Sequence, residues 1–173
     1  MDGDERRRQI IEVLEASEGA VNATKLAQLF AVSRQIIVGD IALLRASGQE
    51  IVATSRGYLF SENGFEHGYV GKIACEHGFA ETEQELRLIV ALGGEVLDVV
   101  VEHAIYGELT GNLRIRTQSD IVAFMAPFSQ SQLSLLSALT GGIHLHTIAC
   151  RDSETFEKIR QALAKQDLLY QKS

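Results

Sequence analysis

His144 and His146 lie two residues apart in the segment GGIHLHTIAC, which is rich in β-formers. Side chains alternate along a strand, so both imidazoles project from one face, with Ile143 and Leu145 on the other, and such a pair can share one metal ion. His77 closes a second β-rich run, from Val70, in which Gly71, Ile73, Cys75 and His77 share one side and Lys72 and Glu76 the other. Glu85 lies one position before Leu86 and four before Ile89, which borders it on the buried stripe of a helix predicted from about Thr82 to Leu92. If the first and last strands of this half are antiparallel neighbours, His77 comes beside His144. Three imidazoles and a carboxylate suit Zn, Ni or Fe at ligand distances of about 2.0–2.2 Å. From spacing alone, an H-x-H pair is more often only a polar strand face.

Other reactive residues carry weaker signals. Cys75 and Cys150 belong to no C-x-x-C pair; burial in a packed core suits both, and their side-chain parity with the histidines makes them reserve ligands. His103 precedes Ala104-Ile105-Tyr106-Gly107 at a strand end, where an imidazole and a phenol could meet a ligand, or the histidine could cap a turn. His67 lies by a linker and reads as solvated.

These residues are positioned by a half that alternates strand and helix. After the first strand and the Thr82 helix, Gly93-Gly94 breaks the chain before the apolar strand Val96 to Val101. Leu113 to Thr117 reads as a further strand with Arg114 and Arg116 toward solvent. A helix near Ser119 to Met125, Pro127, a Ser/Gln-rich stretch, the strand Ile143 to Cys150 and a helix from Ser153 to Lys165 complete the order β-α-β-β-α-β-α. That order predicts an open sheet with helices on one face.

The first sixty residues follow a different plan. Ile10, Ile11 and Leu14 recur at helical spacing between Glu5 and Ala16, behind a run of three arginines. Asn22 can cap a second helix, Ala23 to Phe30, with Leu26, Leu29 and Phe30 on one face. After the turn Ala31-Val32-Ser33, Ser33 can cap a third helix with Ile37, Ile41 and Leu44 inward, ending at Gly48. Two short β-rich runs, Ile51 to Thr54 and Tyr58 to Phe60, flank Ser55-Arg56-Gly57 as a hairpin with a basic tip. Helix, helix, tight turn, helix and hairpin is the order of a winged helix-turn-helix. In that arrangement the third helix enters the major groove, Arg34 and Gln35 meet base edges, and Lys25, Arg45 and Arg56 suit phosphates. Gly39 falls mid-helix, which costs about 1 kcal/mol against alanine. Ser61 to Gly64 is polar and turn-forming, so the domains are expected at 1–62 and 66–173.

A net charge of −7 argues against nucleic acid until its distribution is considered. The acidic excess lies after residue 60, whereas residues 20–60 carry Lys25, Arg34, Arg45 and Arg56 against only Asp40 and Glu50. No apolar run approaches the roughly 18 residues needed to span a bilayer, and the first residues, MDGDERRRQ, have no signal-peptide character. A cytoplasmic protein with no membrane partner is expected.

With these motifs in place, the sequence resembles a known family. VSRQIIVGDIALLRASGQEIVATSRGY, VLDVVVEHAIYGEL and LTGGIHLHTI together look like the niacin-responsive transcriptional repressors, which join a winged helix to a 3H domain. The resemblance covers nearly the whole chain. It implies an α+β protein whose carboxy-terminal part is an open-faced sandwich similar to the phosphocarrier HPr. It also implies a homodimer that binds a double-stranded operator and represses genes for niacin uptake or NAD synthesis. Nicotinic acid would be the small-molecule effector and a divalent metal would sit in the 3H domain. The family's pattern of a histidine, a glutamate eight positions later and an H-x-H pair falls on His77, Glu85, His144 and His146. Its H-x-x-Y-G segment falls on His103 and Tyr106, which we extend to contact with the effector. Gly39 stands where relatives are expected to carry a larger polar residue, and Phe128 to Ser134 is abbreviated.

Three rival readings differ in class. In the first, the metal itself is the signal. In the second, the chain is a metal-dependent hydrolase, for which only Glu76 and Glu102 remain as unassigned bases, so no enzyme activity is expected. In the third, the winged helix binds protein instead of DNA.

Overall fold

The computed structural model describes residues 1–60, 68–129 and 134–170. The expected linker Ser61 to Gly64, His67 and the middle of the Ser/Gln-rich stretch lie outside the described residues. The chain divides into two compact units, 1–65 and 66–173.

In the first unit, α1 (Gly3–Ala16), α2 (Ala23–Phe30) and α3 (Arg34–Ala46) surround a core of Ile10, Leu14, Leu26, Ile37, Ile41 and Leu44. Each start is capped by a side chain accepting an orphan amide: Asp2 from Glu5, Asn22 from Lys25 and Ser33 from Ile36. Leu29 departs from the expected inward face and is 60 % exposed. Ala31, left-handed at φ 53°, ends α2 at the tight turn, so Phe30 and Val32 supply the packing that Leu29 does not. The wing is β1 (Ile51–Thr54) paired antiparallel with β2 (Gly57–Phe60), and Val21 and Tyr58 exchange two backbone hydrogen bonds that add a third rung. Gly57, at φ 137°, admits that rung, because a Cβ there would fall 2.5 Å from the Val21 carbonyl carbon. Arg56 is half-buried, leaving Ser55 as the exposed tip of the hairpin.

The arginine run serves the fold. Asp40 faces inward on α3 and is 4 % exposed; it accepts from Arg6 Nε at 2.6 Å and from Arg7 Nη1 at 3.1 Å. A buried carboxylate without such donors is strongly destabilising. Two of the three arginines therefore clamp α1 to α3 and keep the third helix in register with the first.

The second unit is a four-stranded antiparallel sheet, β3 (Tyr69–Glu76), β4 (Glu95–His103), β5 (Gly107–Ile115) and β6 (Ile143–Cys150), in the spatial order β3-β6-β4-β5. The helices α4 (Thr82–Ala91), α5 (Gln118–Met125) and α6 (Ser153–Lys165) complete the order expected from the sequence and make an α+β open-faced sandwich. Ile73, Leu86, Ile89, Val96, Ile115, Ile148, Phe156, Ile159 and Leu163 form one core between sheet and helices. The first and last strands are antiparallel neighbours, with Cys75 opposite His144 and Ile73 opposite His146.

Three details depart from expectation. β5 begins at Gly107, well before Leu113, as the return strand of a hairpin with β4, and Arg116 lies beyond its end. The polar run Gly107 to Asn112 hid it, because hairpin pairing rather than hydrophobic pattern fixes it there. β4 carries a bulge between Val96 and Asp98, so Val96 and Val99 both pack into the core although three residues apart. Finally, Leu168 is buried, and backbone bonds from Glu76 N to Leu168 O and Tyr170 N to Ala74 O cover the outer edge of β3.

Replacing Asp40 with alanine leaves Arg6 and Arg7 without their shared acceptor. We expect a loss of about 2–3 kcal/mol, read as a lower midpoint for the amino-terminal transition in denaturant melts of the full chain. Glu12→Ala, at an exposed site on α1, should stay within about 0.5 kcal/mol.

Candidate functional site

In the second unit, the end of β3, the first turns of α4 and the start of β6 meet at one point. Glu85 is 1 % exposed, and the side chains of His77, His144 and His146 are 4 %, 3 % and 6 % exposed. His146 Nε2 lies 2.5 Å from Glu85 Oε1, His144 Nε2 lies 3.3 Å from Oε2, and His77 Nε2 abuts Oε2. The rings pack edge-on, with centroids 4.7 Å apart for His77 and His144 and 4.8 Å for His144 and His146. All four residues expected to form a cluster are thus together, and Glu85 lies within the buried stripe rather than at its border.

The outer nitrogens decide the protonation pattern. His77 Nδ1 donates to Gly78 O at 2.9 Å, His144 Nδ1 to Gly142 O at 2.8 Å and His146 Nδ1 to Asp98 O at 2.8 Å. A carbonyl only accepts, so each Nδ1 carries the proton and each neutral ring presents its Nε2 lone pair to the centre. An ionised carboxylate presents only lone pairs as well. Such a cluster coheres only around positive charge.

Extra protons supply part of it. Burial acts to raise the Glu85 carboxyl, but the charge of His146 and hydrogen bonds from His144 and His146 outweigh it and hold its pKa below the usual carboxylate range. Burial acts to lower the His146 imidazole, and Glu85 outweighs it, so its pKa is raised. One carboxylate balances one imidazolium, however, and the Nε2 lone pair of His77 still abuts a carboxylate oxygen in a buried site. A divalent cation fits the donor set better, because it can accept from three Nε2 atoms and a carboxylate oxygen together. Histidines whose second nitrogen donates to a fixed acceptor are the usual form of imidazole metal ligands.

The supports were largely illegible in the sequence. The Asp98 carbonyl is free for His146 because of the β4 bulge: Asp98 Oδ1 accepts the Thr147 amide at 3.1 Å and so replaces a ladder bond. Gly142 O accepts from both His144 Nδ1 and the His77 amide, the latter at 3.3 Å. Gly142 has φ 101°, and a Cβ there would lie 2.6 Å from His77 O, so only glycine lets the β6 approach pass this close. The Gly-Gly pair before the H-x-H motif was the available signal. Cys75 is also at the cluster. Its Sγ, a Glu85 oxygen and a His144 nitrogen lie within 4.8 Å of one another, and burial, then Glu85, push its thiol pKa up. Cys150, at the far end of β6, packs in the core and donates to Asp152 O at 3.3 Å.

A narrow, partly open pocket with a cavity volume of about 30 Å³ leads to the cluster; Val99, Leu113, Phe124, Leu135 and Leu136 form its apolar wall and Ser137 adds a polar edge. His103 and Tyr106 are not brought to it. They sit at the β4–β5 turn, where His103 Nδ1 accepts the amides of Ile105 at 3.2 Å and Tyr106 at 3.3 Å, and Tyr106 is 73 % exposed. His103 therefore caps the turn, which was the alternative reading of this segment.

In the first unit, Ser33 Oγ accepts the Ile36 amide at 3.2 Å and fixes the start of α3. Arg34 and Gln35 are exposed in the turn that follows, and Lys25 and Arg45 are exposed as well. Gly39 lies exposed on the same helix with open space where a Cβ would be.

Together these parts describe a DNA-binding regulator with a separate domain that carries a buried histidine and carboxylate cluster. The 3H domain model matches residues 70–172, and an HTH domain model matches residues 6–59. The chain is 39 % identical over 165 residues to a protein of Thermotoga maritima named Probable transcription repressor NiaR, covering 95 % of this chain and 93 % of that one. It is 37 % identical over 169 residues to Transcription repressor NadR of Bacillus subtilis, covering 96 % and 94 %. The chain belongs to the 3H domain family and is a transcription repressor of the NiaR and NadR type. Among the described residues, no single helix is long and apolar enough to cross a membrane.

Gly142→Ala tests the support of the cluster. Its left-handed backbone and the clash with His77 should cost about 1–3 kcal/mol in unfolding of the second unit. Gly141→Ala, at φ 64° with nothing within 4 Å of the new Cβ, should cost less.

Proposed function

We propose that this repressor binds operator DNA as a cytoplasmic homodimer and responds to nicotinic acid through a divalent transition metal, Ni, Zn or Fe, held by His77, Glu85, His144 and His146. The observation that carries the reading is the convergence of three Nε2 lone pairs and a carboxylate, each ring locked from behind, at the base of an apolar pocket. Such an ion, when bound, supplies a fixed positive point for the polar end of a small ligand. The surrounding residues do the rest. Val99, Leu113, Phe124, Leu135 and Leu136 offer an aromatic ring a dry wall, and the Nδ1 hydrogen bonds hold the imidazoles in place. The choice of nicotinic acid rests on the family resemblance and on the chemistry of an apolar wall beside a cationic base, which suits an aromatic acid.

Repression then follows from population shift: ligand favours the DNA-competent form only to the extent that it binds that form more tightly. On DNA, Arg34 and Gln35 are assigned to base edges, Ser33 to the start of the reading helix, and Lys25, Arg45 and Arg56 to phosphates. Control by metal alone is the competing reading, since the four donors form a cluster without any organic ligand.

One assay separates these readings. Operator binding is measured on metal-loaded protein, with nicotinic acid and a chelator titrated separately. Our proposal requires a shift in DNA affinity on adding nicotinic acid that disappears after chelation. A response to chelator with none to nicotinic acid supports metal-only control, and no response to either removes the sensor reading. In the same assay, Arg34→Ala should cost about 1–3 kcal/mol and relax preference at one base pair, whereas Lys25→Ala should weaken all sequences alike and lower the salt slope by about one.

A further inference from the structure

We infer that Cys75 is a metal ligand, bound as thiolate, completing the centre formed by His77, Glu85, His144 and His146. The inference rests on the metal reading given above and extends it to a residue whose expected role was packing. Cys75 lies on β3 directly opposite His144 on β6, so its side chain leaves the sheet on the same face as the imidazoles. It is fully buried, and its Sγ shares with Glu85 and His144 a common 4.8 Å neighbourhood of donor atoms. The other inner-face cysteine, Cys150, lies at the far end of β6 among the core residues, whereas the Cys75 sulfur stands beside the buried carboxylate.

Charge supplies the second argument. Three neutral imidazoles and one carboxylate leave a dication with a net positive charge in a site whose side chains are almost wholly buried. Uncompensated buried charge is unfavourable, and a thiolate brings the sum to zero. Sulfur together with imidazole also favours Zn, Ni or Fe over the hard cations Mg and Ca. On loading, the S–H bond breaks, its proton goes to bulk water, and a metal–sulfur bond replaces one bond from the ion to a water molecule. Nothing is oxidised or reduced. The Nε2 of His77 meets the same carboxylate, so the imidazole donors and the Glu85 oxygens converge on one point beside the sulfur.

Cobalt(II) reports each donor type separately. The metal-free full-length chain is titrated with cobalt(II), and its absorption spectrum is recorded for the natural sequence, Cys75→Ser and Cys150→Ser. We expect visible d–d bands in all three, together with a near-ultraviolet sulfur-to-cobalt charge-transfer band that is present in the natural sequence and Cys150→Ser and lost in Cys75→Ser. Bands in the visible without the charge-transfer band in the natural sequence would overturn the thiolate and leave the histidine and glutamate centre standing. No cobalt spectrum at all would overturn the metal reading and this inference with it. The natural sequence alone decides whether a thiolate binds, and Cys150→Ser, which keeps the band if Cys75 is the ligand and loses it if Cys150 is, assigns the thiolate even where Cys75→Ser misfolds.

Discussion

Glu85 is a carboxylate buried to 1 % exposure, and the arrangement of the 3H domain follows from the need to compensate it. Burial of a lone carboxylate is among the more costly things a fold can do. Here three imidazoles, two from β6 and one from just beyond β3, close around it, each turned by a hydrogen bond to a different backbone carbonyl. Those carbonyls come from Gly78, Gly142 and Asp98, so a turn, a left-handed glycine and a bulge each exist at a point where a histidine has to be aimed. The sheet order β3-β6-β4-β5 makes this feasible, because β6 lies between β3, which leads to His77, and β4, which carries the Asp98 carbonyl.

Side-chain periodicity carried much of this into the sequence. The 2-residue repeat put His144 and His146 on one face, and the 3.6-residue repeat put Glu85 beside Leu86 and Ile89. The pairing of the first and last strands stood only as a condition in the sequence; the sheet supplies it and brings His77 to the same place. The caps at Asn22 and Ser33 and the stop at Gly48 were readable for a similar reason: each is a local backbone demand met by one side chain or by its absence.

The rest was hidden by interactions that have no local pattern. Half of β5 is polar and exists through its partner strand. The bulge in β4 shifts parity between Val96 and Val99, which no alternation rule foresees. Leu168 covers a sheet edge from the far end of the chain. Arg6 and Arg7 read as free charge until Asp40, more than thirty residues away, is found buried between them. His103 and Tyr106 matched a family segment, yet the hydrogen bonds at the β4–β5 turn use the histidine locally. In each case the deciding partner is distant in sequence or is a backbone atom that every residue possesses.

The central claim is that the four converging side chains hold a single cation. The direct measurement is metal content after the metal-free chain is incubated with nickel or zinc and passed through a desalting column. This account requires one ion retained per chain in the natural sequence and essentially none in a variant carrying Glu85→Ala with His144→Ala. Retention of no ion by the natural sequence, or equal retention by the variant, would contradict it.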